Sequence, residues 1–285
     1  MLTDEYGVFV FVFQPFLLGI LPPWIVGRRY PLKSSQGFAL SGLCLLLATF
    51  LALLLGTEGM ICLLMYFPIS IPLVLLGSYL GYRINKKRFV SDGNAVMILI
   101  ALSFLTMGFD EVSETSDLIP VTTAVEVDAP IAEVWNNVVT FDSIPEPVDR
   151  IFKTGVSYPT DATIQGRGEG AIRYCNFTTG SFVEPITNWD EPHLLQFDVI
   201  EQPIPMNEMN PFWDIHPKHL DGYFLSKKGQ FRLTALSENK TFLEGTTWYT
   251  LDITPVVYWR QWSDFIIHRI HRRVLNHIKL ESERK

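Results

Sequence analysis

Two stretches without a single charged residue, 37–56 and 59–82, constrain this chain more than any other feature. Each matches the roughly 20 apolar residues that an α-helix needs to cross a bilayer. Two weaker apolar runs flank them: 7–27, interrupted by Pro22 and Pro23, and the shorter 94–109. Residues 1–110 are therefore expected to form an α-helical transmembrane bundle of four helices (about 7–27, 37–56, 59–82 and 94–109). Pro68 and Pro72 inside the third run predict a kink, which membrane helices tolerate when neighbours satisfy the freed carbonyls. The leader MLTDEYG is acidic where a secretory signal carries positive charge, so the first run reads as a retained span.

The loops predict an orientation. Arg28, Arg29 and Lys33 lie between the first two runs, and Arg83, Lys86, Lys87 and Arg88 between the last two. The opposite loops carry acids: Asp4 and Glu5, then Glu58, then Asp110, Glu111, Glu114 and Asp117. Lys and Arg mark the cytoplasmic side. A multi-pass protein of the cytoplasmic membrane is expected, with everything after Asp110 on the extracytoplasmic face. If one of the two weaker runs did not cross, that half would face the cytoplasm instead. No Asp, Glu, Lys or Arg lies inside a span, and such residues are what mark ion or proton paths. Gln14, Ser70 and Ser78 read as interhelical hydrogen-bonding groups, and the bundle as an anchor or docking surface.

The mean hydropathy of +0.19 comes almost wholly from this half; beyond Asp110 the composition is that of an ordinary globular protein. A net charge of −7 argues against a nucleic-acid partner. Three cysteines, Cys44, Cys62 and Cys175, make neither a disulfide framework nor a zinc spacing. Cys175 reads as a buried thiol, with a reactive nucleophile as the other reading.

An acidic linker over 111–120 leads into a strand at VTTAVEV, 121–127, where β-branched residues alternate. Asp128 is expected to cap the helix that follows, with Pro130 in its first turn and Glu133 in the capping-box position. Further strands are expected near 151–158, 170–177, 181–189, 194–201, 229–236 and 241–251, joined by short turns that favour an antiparallel meander. From Trp259 a long C-terminal helix carries Ser263, Ile267, Ile270, Val274 and Ile278 on one face, with His271 and His277 at its margins and Arg269, Arg272 and Asn276 behind. An apolar stripe of that length needs a concave partner, which the strands supply.

The half from about residue 120 onward, with VEVDAPIAEVWNNV near its start, GAIRYCNF in its middle and the long helix at its end, resembles the SRPBCC superfamily of START lipid-transfer, birch-pollen-allergen-like and polyketide cyclase proteins. The resemblance implies an α+β helix-grip domain over 121–285, a seven-stranded antiparallel sheet wrapped round the C-terminal helix and enclosing an apolar cavity. It implies a hydrophobic ligand, lipid or isoprenoid-like, while the apolar first half implies membrane lipids as partners. Candidate ligand-binding residues are Arg173, Phe177, Phe197, Trp213, Phe231, Trp248, Ile267, His271 and Val274.

Chemistry-bearing residues have bland readings beside sharp ones. Arg173 shares a sheet face with apolar residues, so it is either paired with Glu184 or Glu244 or left to meet an acidic ligand. His271 is either a margin histidine bonded to a strand or a general base. Asp214, His216 and His219 lie in a proline-rich insertion between the fifth and sixth strands, and read as a lid loop or, less well because of Pro217, as metal ligands. Trp248 and Tyr249 must point to opposite faces. There is no P-loop, G-x-S-x-G, H-E-x-x-H or C-x-x-C, and no cofactor is expected. The alternative to a binding domain is a cyclase- or hydrolase-like enzyme using His271 and Arg173, or a metal at the insertion. A structural or signalling module with a filled core is a third reading.

Overall fold

Apolar side chains exposed along three long helices and a sheet polar on one face divide the chain into elements that bury themselves in different ways. The structure, a computed structural model, describes residues 7–87 and 117–284. The expected fourth span, 94–109, lies outside the described residues. The chain divides into two compact units. One holds the apolar helices with Glu208–Pro217 and Ile253–Trp259; the other holds the sheet and the rest of the C-terminal helix.

In the first unit a π-helical turn at Phe9–Phe13 runs into α1 (Gln14–Gly27), followed by α2 (Ser34–Leu54) and α3 (Met60–Lys87). Three helical stretches here, Phe9–Gly27, Ser34–Leu54 and Met60–Lys86, are long and apolar enough to span a membrane. Their outward leucines, Leu46 and Leu64 among them, are more than half exposed, as side chains facing lipid would be. Glycines let α1 and α3 close on each other. A Cβ on Gly19 would strike the Val74 carbonyl, one on Gly77 the Phe16 carbonyl, and one on Gly81 the Ile20 carbonyl. This is the small-residue contact by which membrane helices pack without a hydrophobic drive. Pro23 has no N–H for the Gly19 carbonyl, and the buried Ser41 hydroxyl donates to that oxygen at 2.7 Å. Asn85 donates to the carbonyls of Pro23 and Trp24 at 2.7 and 2.8 Å.

Segment Glu208–Pro217 finishes the turn between α2 and α3. The Asn210 amide donates to the carbonyls of Leu53 and Glu58, and its Oδ1 accepts from the backbone N–H groups of Phe212 and Trp213. The Trp213 indole N–H donates to the Leu54 carbonyl at 2.7 Å, and Met60 N–H donates to the Met209 carbonyl at 2.8 Å. The last carbonyls of α2, orphaned by the helix end, are thereby satisfied.

The second unit is a curled seven-stranded antiparallel sheet in the order β1-β7-β6-β5-β4-β3-β2, gripping the C-terminal helix as expected. Its strands are β1 (Ile119–Val127), β2 (Pro159–Gln165), β3 (Ile172–Phe177), β4 (Gly180–Asp190), β5 (Leu194–Asp198), β6 (Phe224–Ser237) and β7 (Lys240–Leu251). Helix α4 (Ile131–Val139) follows β1, and α5 (Val256–Glu283) ends the chain. Leu233, Leu243, Leu275 and Ile278 are at most 2 % exposed and join the sheet to α5; Val134, Trp135 and Val138 add α4. Leu195 and Ile186 extend the same core toward the far strands.

Two expectations are corrected. The strand expected near 151–158 is instead a 3₁₀ turn at Arg150–Thr154, opened by Asp149 accepting from Ile151 N–H and closed by Gly155 at φ 100°. The edge strand β2 lies further on, in the more polar PTDATIQ. Asp128 does not cap α4: the N-cap is Pro130, with no side-chain cap, and Asp128 N–H donates to Glu283.

Candidate functional site

Alternation along β3 places Arg173, Cys175 and Phe177 on the concave face. Antiparallel register sets Glu184 opposite Arg173 and Phe182 opposite Cys175. On the other side of the hollow, β5 and β6 pair Phe197 with Gly229 and Leu195 with Phe231. Gly229 has no side chain because the Phe197 ring fills the space where its Cβ would stand.

Arg173 is the largest fully buried side chain among the described residues, 1 % exposed. Its Nη1 pairs with the Glu184 carboxylate, and its Nε donates to the Val139 carbonyl at the end of α4. The rings of Phe231, Phe197 and Phe141 stand 5.5, 5.6 and 5.7 Å from its Cζ. Nη2 has no hydrogen-bond acceptor among the described residues. A guanidinium out of water is held by its carboxylate and by π faces together. Burial pushes the Glu184 carboxyl upward, and the Arg173 charge opposes that shift. Burial, with the Glu184 charge, pushes the Cys175 thiol up to about 12, so it stays protonated and unreactive.

Beside this pair the concave face remains partly open. Phe177 and Phe182, with ring centroids 4.8 Å apart, and Phe231 are only half-buried although they pack on the core. These are apolar side chains with surface still to cover.

A second, polar cluster lies between α5 and strands β1 and β7. His271 touches the Thr123 hydroxyl through Nδ1 at 3.1 Å and the Thr247 hydroxyl through Nε2 at 2.8 Å. His268 Nδ1 meets the same Thr123 oxygen at 2.7 Å. Further toward the start of α5, the Tyr249 hydroxyl donates to Asp264 at 2.7 Å. Burial, with the His268 charge beside it, holds the His271 imidazole down at about 4, so it is neutral at neutral pH. The folded state therefore refuses a proton that the unfolded chain accepts from about 6.5 downward. Stability should fall as pH drops from about 6.5 to about 4 and level off below, by up to about 3 kcal/mol. Burial also lowers His277, which acts in the same direction. Thermal melts between pH 7.5 and 4 check this: His271→Gln should flatten the acid limb, and an unchanged limb would refute it.

The structure brings Arg173, Phe177, Phe197 and Phe231 together on the sheet, and places Ile267, His271 and Val274 on the buried side of α5. It does not bring Trp248 there: that ring is on the convex face with Lys228 Nζ 4.9 Å above it, while Tyr249 points inward and is fully buried. Trp213, Asp214 and His216 belong to the first unit, Trp213 at the end of α2 and the other two exposed; His219 is on the 3₁₀ turn Lys218–Leu220 of the second. Sequence reasoning missed Phe141, Phe182, Thr123 and Thr247. Alternation along VTTAVEV contained the signal for Thr123, but its meeting with histidines 145 and 148 residues away required the sheet order.

Residues 119–247 match the family described as polyketide cyclase / dehydrase and lipid transport. No curated protein matches the chain. Among solved structures, norcoclaurine synthase from Thalictrum flavum is similar at 16% identity, over 60% of this chain and 98% of that one, with a TM-score of 0.38. The Zhui aromatase/cyclase from Streptomyces sp. R1128 is similar at 16% identity, over 59% and 95%, with a TM-score of 0.36. Protein XoxI from Bacillus cereus is similar at 13% identity, over 57% and 94%, with a TM-score of 0.37.

Proposed function

We propose that this chain, whose second half is an SRPBCC-type domain, holds a hydrophobic small molecule of lipid or isoprenoid type against the concave face of its sheet, and that three or more membrane spans anchor it. The carrying observation is that Phe177, Phe182 and Phe231 pack on the core yet stay only partly buried, on the face that carries the buried Arg173–Glu184 pair. Apolar surface left open in a concavity gains about 25 cal/mol for each Å² that a ligand removes from water. The family's description, which includes lipid transport, supports the same reading. Tethering suits it: anchoring keeps the domain at the surface of the bilayer in which an apolar ligand dissolves.

The domain is proposed to stand on the extracytoplasmic face. The basic loop residues Arg28, Arg29 and Lys33 support a cytoplasmic α1–α2 loop, which leaves the α2–α3 turn on the other side. Segment Glu208–Pro217, an insertion between β5 and β6, is bonded to that α2–α3 turn. The same face then serves for the strands on either side of it, since no apolar run separates them from the insertion.

The test is extraction. The full chain, purified in mild detergent, is stripped into organic solvent and the extract analysed by mass spectrometry against an empty-micelle control. A defined apolar species should co-purify in stoichiometric amount, and Phe231→Trp, which adds bulk on the concave face, should deplete it. An extract indistinguishable from the control would refute the reading.

A further inference from the structure

Every Lys and Arg between positions 6 and 91 falls in two short segments, 28–33 and 83–88, and no Asp or Glu lies from 6 to 57 or from 59 to 91. Topology requires only that such charges stay on one side of the membrane. It does not require that they be gathered on one folded surface, yet the bundle gathers them. The first turn of α2 meets the end of α1 at Gly37, where a Cβ would stand 3.4 Å from Pro23 and 3.7 Å from the Ser78 hydroxyl of α3. The end of α1 is clasped to α3 by Asn85, whose amide donates to the Pro23 and Trp24 carbonyls. Gly27 packs on that amide, and a Cβ there would stand 2.5 Å from Nδ2. Three helix ends therefore come together, and they carry Arg28, Arg29, Lys33, Arg83 and Lys86, all exposed.

Two of these cations are held at a particular depth. Arg28 folds back over the Trp24 ring, its Cζ 4.3 Å from the centroid, and Arg83 over Tyr79 at 5.7 Å. In each pair the aromatic residue comes four positions earlier, about one helical turn toward the middle of the span. An arginine bent back in this way stays at the level where Trp and Tyr settle, beside the headgroups, and does not extend into water. The ring takes one face of the guanidinium, and phosphate oxygens pair with its N–H edge. Among the described residues, the acids of this unit, Glu58, Glu208 and Asp214, lie at the opposite end: Glu208 rests on Gly59, and the neighbours of Asp214, Trp213 and Ile215, rest on Gly56. The counter-charge for the basic end therefore comes from outside the bundle.

We propose that this end of the bundle binds anionic phospholipid. The lipid phosphates pair with Arg28, Arg29, Lys33, Arg83 and Lys86, and the acyl chains lie along outward leucines such as Leu43 of α2 and Leu76 of α3. The spans thus do more than anchor: they select their surrounding lipid by headgroup charge. The docking is independent of whatever the sheet domain holds.

The full chain in mild detergent is titrated with dioleoyl phosphatidylglycerol or dioleoyl phosphatidylcholine, and retained lipid is counted by native mass spectrometry. Phosphatidylglycerol should bind in a fixed number of copies and about tenfold more tightly, an advantage that shrinks as salt rises from about 50 to about 500 mM. Arg83→Gln should cut that advantage about fivefold. Arg83→Lys, which keeps the charge, should still lose part of it, because an ammonium does not pair bidentately with phosphate. Equal binding of the two lipids, an advantage indifferent to salt, or wild-type preference in both Arg83→Gln and Arg28→Gln overturns the proposal. Inorganic phosphate at about 20 mM and matched ionic strength should leave phosphatidylglycerol bound. Displacement would assign the surface to a soluble anion and overturn lipid docking. Should the variants fail to fold, the salt and phosphate arms on wild type decide the matter.

Discussion

Replacing Arg173 by Met should unfold the sheet domain or cost it about 3–5 kcal/mol, because Glu184 is then left charged or forcibly protonated without the cation that pairs with it among the described residues. Little of that loss measures the pair itself. Both groups lose their hydration on folding, and their mutual attraction offsets that desolvation without exceeding it greatly. The check is a second substitution. Arg173→Met with Glu184→Met should recover most of the loss, since two apolar side chains then occupy a place already walled by Phe141, Phe197 and Phe231. Chemical denaturation monitored by tryptophan fluorescence would report both variants. If the double variant is as unstable as the single one, the pair holds the fold in some way that apolar packing cannot replace, and the present account of it is wrong.

The second large effect is expected inside the bundle. Gly77→Leu should prevent α1 and α3 from closing, because the atoms in the way are backbone: the Phe16 carbonyl, the Ile20 N–H and the Gly19 Cα. Ordinary over-packing costs about 1–3 kcal/mol because side chains can shift; backbone cannot, so the cost should exceed that range. Gly42→Leu is the control. Nothing lies within 4 Å of a Cβ at that position, and a leucine there should be harmless. Thermal unfolding in detergent by circular dichroism compares the two. Equal melting temperatures would mean that the glycine contact is not what holds these helices together.

How much of this could be read from residues alone varied with the range of the interaction. The charge-free runs, the alternation of β1 and the stripe on α5 are local patterns, and the structure has them where the sequence placed them. Arg173 was legible as an inward charge needing a mate, and Glu184 is that mate. The edge strand was not. Ile151, Phe152, Val156 and Tyr158 have strand-like composition, but Asp149 and Gly155 close a tight turn around the first two and Val156 forms only an isolated bridge, while PTDATIQ becomes a strand because β3 offers it an edge to bond. Trp248 and Tyr249 show the limit in one step. Alternation says that they face opposite ways, yet only the register with β6, which pairs Lys228 with Trp248, decides which one faces outward. Glu208–Pro217 carried aromatic residues suited to covering a cavity, and they cover the end of α2 instead, a partner about 160 residues earlier in the chain.

The position of β1 in the sheet has a consequence for how the protein is made. Among the described strands β1 emerges first, but the one neighbour it has there is β7, more than a hundred residues later, and the helix that completes the core comes after that. Strands β2 to β7 can zip sequentially as they appear, whereas Val121 and Val127 must wait with their apolar side chains unprotected. Closing so long a loop is slow. A nascent chain halted before Lys240 should therefore be captured by chaperones and cut by proteases at its unpaired first strand, and release from both should come only once residues 240–285 have appeared.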